Sequence, residues 1–140
     1  MIKTNVQEDW LNDWANNTTG RVVHSHMTKP NPKDAINKLQ REDQSIIFRL
    51  RTGHVQLNRH LSRIKKDHPA SCPLCSHPSE TVEHHLLDCT QLKDLRDSLL
   101  PRNPKIANTL YGTHTQLRQT CTFFRKASGR RTSAHRPVVR

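Results

Sequence analysis

Cys72-Pro-Leu-Cys75 and then Glu80-Thr-Val-Glu-His84-His85-Leu-Leu-Asp-Cys89 form a window spaced Cys-x2-Cys-x8-His-x4-Cys. Three thiols and an imidazole so close together suit a closed tetrahedral zinc site, with Zn–S about 2.3 Å and Zn–N about 2.0–2.1 Å. The Cys-x2-Cys half can wrap a metal in one tight turn, and Pro73 fixes its own φ there. The second pair lies on a segment that reads as a short helix, with Ser79 or Thr81 able to cap its start. Zinc suits the window better than an iron–sulfur cluster, because a histidine replaces one thiolate and no further cysteine lies nearby. The chain is therefore expected to be a small, mostly α domain stapled by a Cys-Cys-His-Cys zinc knuckle, with Zn2+ as its cofactor.

A disulfide and a chance clustering of buried thiols are the competing explanations. The chain opens Met-Ile-Lys-Thr-Asn-Val-Gln-Glu-Asp with no apolar signal segment, so an intracellular site, nucleus or cytoplasm, is expected and a disulfide is not. The choice of histidine stays open on spacing. On an α-helix His85 and Cys89 share a face, whereas His84 and Cys89 are about 140° apart. Yet His85 also falls in the apolar stripe Val82, Leu86, Leu92, where a packed core histidine is the simpler explanation. A helix that ends before Cys89 lets His84 ligate without strain.

Composition bounds the rest. The 140 residues leave room for one domain or a small domain with tails. With 32% hydrophobic and 4% aromatic residues the core is thin, so a metal staple would add directly to folding free energy. No window approaches the roughly 18–20 apolar residues of a membrane span, and no membrane partner is expected. No internal repeat is evident.

The formal charge of +11 is unevenly spread. Residues 1–20 carry −2, residues 21–71 carry +7, residues 72–101 carry −3, and residues 102–140 carry +9 with no acidic residue. Residues 125–140 hold Arg125, Lys126, Arg130, Arg131, Arg136 and Arg140 among Gly, Ser and Pro, a composition that reads as a disordered basic tail. A basic arm suits a polyanion, with nucleic acid the expected partner. A merely solubilising charge run is the alternative.

Apolar spacing predicts the helices. Trp10, Leu11 and Trp14 mark a short helix over Gln7–Asn16, and Lys29-Pro-Asn-Pro32 is a connector. Ile36, Leu39, Ile46, Ile47 and Leu50 predict one long or two abutting helices, closed by Gly53. Leu57, Leu61 and Ile64 repeat at helical spacing, with Asn58, Arg59, Arg63, Lys65 and Lys66 outside. Leu92, Leu95, Leu99 and Leu100 extend to Pro101, and Leu117, Cys121 and Phe124 mark a last helix. Strands are at most a short hairpin at the knuckle. The expected organisation is a short helix and linker over 1–33, a helical zinc-binding domain over 34–124, and the basic tail over 125–140.

Arg49-Leu-Arg51-Thr-Gly-His54 reads as a phosphate-contacting turn or as a solvated helix face. Cys121 stands alone, as a small buried hydrophobe does. Catalysis finds little footing. The twelve acids form no Mg2+-binding constellation, no nucleophile elbow occurs, and a closed four-ligand zinc has no position for an activated water. The chain is expected not to be an enzyme by itself.

Ser45-Ile-Ile-Phe-Arg-Leu-Arg-Thr-Gly-His54, Leu57-Asn58, His60-Leu-Ser-Arg-Ile-Lys65, Cys72-Pro-Leu-Cys75, Glu80-Thr-Val-Glu-His84 and Leu87-Asp-Cys89 together resemble the extreme C-terminal region of non-LTR (LINE-type) retrotransposon polyproteins. In that family such a helix and a Cys-Cys-His-Cys cluster follow the reverse transcriptase and ribonuclease H domains. Trp10, Trp14 and Thr19-Gly-Arg21 resemble the linker that often follows ribonuclease H there. The likeness covers roughly residues 10–100. It implies Cys72, Cys75, His84 and Cys89 as ligands, with His85 at an apolar position of the family. The family's polymerase and ribonuclease H carboxylates have no counterpart here, so the resemblance implies a fragment carrying the zinc-binding tail.

Two functions are expected on these grounds. The first is a zinc module that binds RNA or DNA backbone with little sequence specificity, through Arg49, Arg51, Arg59, Arg63, Lys65, Lys66, Arg125, Lys126, Arg130 and Arg131. The second is a structural or protein-interaction zinc module that docks on a ribonuclease H or reverse transcriptase domain.

Overall fold

Asn12 and residues 33–135 are described by the computed structural model, with side chains as far as Thr132 in the last helix. The chain divides at residue 34, and the helical domain is the unit that begins at Ala35. The helix expected over Gln7–Asn16, the connector at 29–32, and Arg136 and Arg140 lie outside the described residues, Asn12 alone excepted.

A 3-10 turn, Ala35–Lys38, leads into α1 (Arg41–Thr52), which buries Ile47, Leu50 and Arg51. The expected pair of abutting helices is thus a turn and a helix. Gly53 ends α1 at φ 78°, the left-handed conformation that costs glycine least. Helix α2 (Asn58–Ile64) comes next, then the knuckle. A π turn, His84–Asp88, and a 3-10 turn, Thr90–Leu92, lead into α3 (Lys93–Leu99). Then come α4 (Ile106–Thr109) and the long α5 (His114–His135). No strand occurs among the described residues, so the fold is mostly α. None of these helices is long and apolar enough to cross a membrane.

Helix α5 is the spine, packing on α1, α3, α4 and the first 3-10 turn. Its buried stripe of Leu117, Thr120, Cys121, Phe123 and Ala127 meets Ile36, Ile47, Leu50, Leu92 and Leu110 in one core. Cys72 and Cys89 belong to the same core, so the thiols border the packed interior.

Two expectations are corrected here. The tail expected from residue 125 is helical as far as His135. Its described arginines are paired with acids: Arg125 with Asp43, Arg130 with Asp94 and Arg131 with Glu80. The charge run is the outer and lower edge of an amphipathic helix whose apolar stripe continues through Ala127. On α2 the faces are exchanged at two positions. Asn58 is 2% exposed and Ile64 is 63% exposed. Asn58 is drawn inward because its Nδ2 donates to the Ser71 carbonyl at 2.6 Å while its Oδ1 lies 3.0 Å from His68 Nε2.

Candidate metal centre

The knuckle starts from local backbone bonds. Ser76 N–H donates to the Cys72 carbonyl at 3.0 Å, and Ser76 takes φ 65°, which turns the chain back after Cys75. Cys72 N–H donates to the His77 carbonyl at 2.8 Å and Glu80 N–H to the Ala70 carbonyl at 2.7 Å, closing the loop without a strand. Thr81 caps the next helical segment, its Oγ1 accepting from His84 N–H at 3.0 Å. Ser79 is no cap; its backbone N–H donates to His77 Nδ1 at 3.2 Å.

The π turn resolves the histidine. Cys89 N–H donates to the His84 carbonyl at 2.7 Å, an i→i+5 bond that sets residues five apart one above the other. The 140° separation expected on an α-helix therefore disappears. His84 joins Cys72, Cys75 and Cys89, with all four donor atoms within 4.8 Å of one another. Cys72 Sγ and Cys89 Sγ are 3.9 Å apart, and Cys75 Sγ is 3.2 Å from His84 Nε2. Tetrahedral ligands at zinc distances would stand about 3.8 Å apart for two sulfurs and about 3.6 Å for sulfur and nitrogen. The four thus fit a tetrahedral ion, and all four cysteines of the chain are free thiols.

Burial dominates the electrostatics of the cluster. Burial pushes the Cys89 thiol up to about 12 and raises that of Cys72. Buried thiolates at these positions need a positive partner, which a bound metal supplies. Burial, with His77 nearby, also lowers His84 and keeps its ring neutral, the ligating form. The His77 ring stacks on His84 at 4.4 Å and covers it from solvent.

His85 does something else. Its ring is buried edge-on against Phe123 and Phe124, with centroids 6.0 and 5.8 Å away. Burial, then the Arg131 charge, pushes it down to about 3. It is a neutral core histidine.

Two polar groups that support the site carry no motif in the sequence. Arg96 is 7% exposed, and it donates from Nε to the Leu86 carbonyl at 2.8 Å and from Nη2 to the Cys89 carbonyl at 3.1 Å. It thereby satisfies carbonyls left open where the π turn ends. A signal was nonetheless present: Arg96 stands four residues after Leu92 and four before Leu100, inside an apolar stripe. Glu80, fully buried, accepts from Arg131 Nε and Nη2 and from Asn58 N–H, each at 2.7 Å. This ties α5, α2 and the knuckle together.

The basic residues expected to meet nucleic acid divide into two sets. Arg51 is buried, donates to the Leu110 carbonyl at 2.7 Å and lies 4.4 Å from the Tyr111 ring centre. Together with Arg125, Arg130 and Arg131 in their ion pairs, it is engaged within the fold. Arg49, Arg59, Arg63, Lys65, Lys66 and Lys126 are exposed, and their side chains form no ion pair among the described residues. Compared with protein-family models, curated proteins and solved structures, the chain matches none.

Proposed function

We propose that this protein is a non-catalytic, zinc-stapled helical module that binds the backbone of nucleic acid. Zinc is the ion assigned because three thiolates and one imidazole suit it and leave no open position for an activated water. Once bound, it supplies a fixed cross-link between the knuckle and the π turn. The protein's own side chains would do the binding. The observation that carries this reading is the exposed set Arg49, Arg59, Arg63, Lys65 and Lys66 on α1, on α2 and just after it, with no carboxylate between Gln44 and Lys66. The likeness to the C-terminal region of non-LTR retrotransposon polyproteins supports it and suggests a nuclear or cytoplasmic setting beside reverse transcriptase and ribonuclease H.

Titration of single-stranded RNA at several salt concentrations tests the proposal. Replacing Arg59, Arg63, Lys65 and Lys66 together by glutamine should flatten the log–log salt dependence, by about 0.7 for each phosphate no longer neutralised. An unchanged slope would refute the assignment of these residues. A second reading, a protein-docking module for a ribonuclease H or reverse transcriptase domain, is favoured by exposed Phe48 and Ile64. Absence of any RNA binding at low salt would select it.

A further inference from the structure

Among the described residues, Phe48, 52% exposed, and Ile64, 63% exposed, are the large hydrophobic side chains left in solvent. Thr52, His54 and His60 lie between them in the chain and form a strip of exposed or half-exposed side chains linked by local contacts. Phe48 and Thr52 are one turn apart on the outer face of α1, and Thr52 Oγ1 donates to the Phe48 carbonyl at 2.9 Å. The same hydroxyl accepts from His54 N–H at 3.3 Å, which ties the chain after Gly53 to that face. The His54 ring stacks on His60, with centroids 5.1 Å apart and planes 25° from parallel. His60 and Ile64 are again one turn apart, on α2. In sequence Arg49 follows Phe48, and Arg63, Lys65 and Lys66 flank Ile64, all of them exposed.

Resting on the nucleic-acid reading, we infer that this strip is a stacking platform for unpaired bases, so that the ligand class is single-stranded nucleic acid rather than duplex. Phosphates alone would need only the cations. A duplex keeps its base faces stacked internally and offers an apolar strip nothing to cover it. A single strand presents both parts at once: phosphates for the flanking cations, and base faces for aromatic and imidazole rings. A wholly apolar protein partner would have to desolvate Arg49, Arg63, Lys65 and Lys66, which have no acidic neighbour between Gln44 and Lys66, and the charge pattern disfavours that.

Fluorescence anisotropy with three probes, each at several salt concentrations, tests this: an oligodeoxythymidylate, an abasic sugar–phosphate strand of equal length, and a duplex of equal length. The thymidylate should bind about tenfold or more tighter than the abasic strand, as stacking of one or two bases supplies. Phe48→Ser with Ile64→Ser should erase that difference while the abasic affinity and its salt slope stay unchanged. Both positions are exposed, and unchanged metal content and helical signal confirm the fold of the variant. Equal affinity for thymidylate and abasic strands, or tighter binding of duplex, overturns the stacking platform and leaves the backbone-binding function standing. Failure of all three probes overturns both.

Discussion

Arg131→Met should destabilise the metal-loaded protein by about 3 kcal/mol. The Glu80 carboxylate has no solvent exposure and accepts three hydrogen bonds, two of them from Arg131. Methionine keeps most of the apolar stem but leaves a buried charge with the Asn58 N–H as its one remaining donor. Breaking a buried pair from one side costs about 3–5 kcal/mol. The Arg131 side chain is 14% exposed, so water can reach part of the vacated space and the lower end applies. Against a total stability of about 5–15 kcal/mol this is a large fraction. For a domain of this size it lowers the melting temperature by roughly 12 °C or more. Urea unfolding followed by far-UV circular dichroism gives the value directly, provided the slope with denaturant is unchanged. Adding Glu80→Gln to Arg131→Met should recover part of the loss, because the buried charge is then gone. Arg125→Met, which breaks the more exposed pair with Asp43, should cost less than about 1 kcal/mol. An Arg131→Met loss as small as that would refute the view that residues beyond 125 are part of the folded domain.

Elemental analysis should find one zinc per chain, with the stoichiometry abolished by His84→Ala and retained by His85→Leu; the reverse pattern would show the π turn to be misassigned. Three thiolates and a neutral imidazole leave a zinc centre with net charge −1, and Arg96 is the buried cation beside it. Arg96→Met should therefore weaken zinc binding about 10–100-fold in chelator competition, and unchanged affinity would show the guanidinium to be a carbonyl cap alone. His85 sits at about 3 when folded, against an ordinary value of 6.5, so the unfolded chain binds a proton in that window that the folded chain does not. Its contribution is full above about pH 6.5 and is lost as pH falls toward about 3, the loss reaching about 2 kcal/mol at pH 5. His85→Leu should lose less stability than the wild type between pH 7 and pH 5, since acid release of zinc affects both alike; identical losses would mean the ring is not held neutral.

The sequence made the metal window readable because its four ligands lie within eighteen residues and obey local spacing. Gly53 and the stripes of α1 and α3 were readable for the same reason. What stayed hidden depends on partners far along the chain. Arg125, Arg130 and Arg131 look like a solvated run until Asp43, Asp94 and Glu80 are placed opposite them, and those acids lie 82, 36 and 51 residues away. Ala127 continues the stripe of Leu117, Thr120 and Cys121, a signal that the surrounding charge obscured. Asn58 turned inward because a carbonyl of the knuckle needed its amide, a demand no periodicity expresses. His84 is ambiguous on helical geometry because the ordinary period is 3.6 residues, whereas the chain takes a wider turn here.

That wider turn acts as a phase shifter. In an unbroken α-helix each added residue rotates everything downstream by about 100°. The single extra residue between His84 and Cys89 is absorbed locally, so both side chains face the same four-residue cluster. Leu92 and Arg96, further along, meet the core and the open carbonyls from the correct side. Deleting one residue from Leu86-Leu87-Asp88 would restore an ordinary turn and could still bring a histidine and a cysteine together at i and i+4. It would also swing α3 out of register with α5, moving Asp94 away from Arg130. The length of this five-residue turn is thus fixed from two directions, by the cluster it completes and by the helix after it.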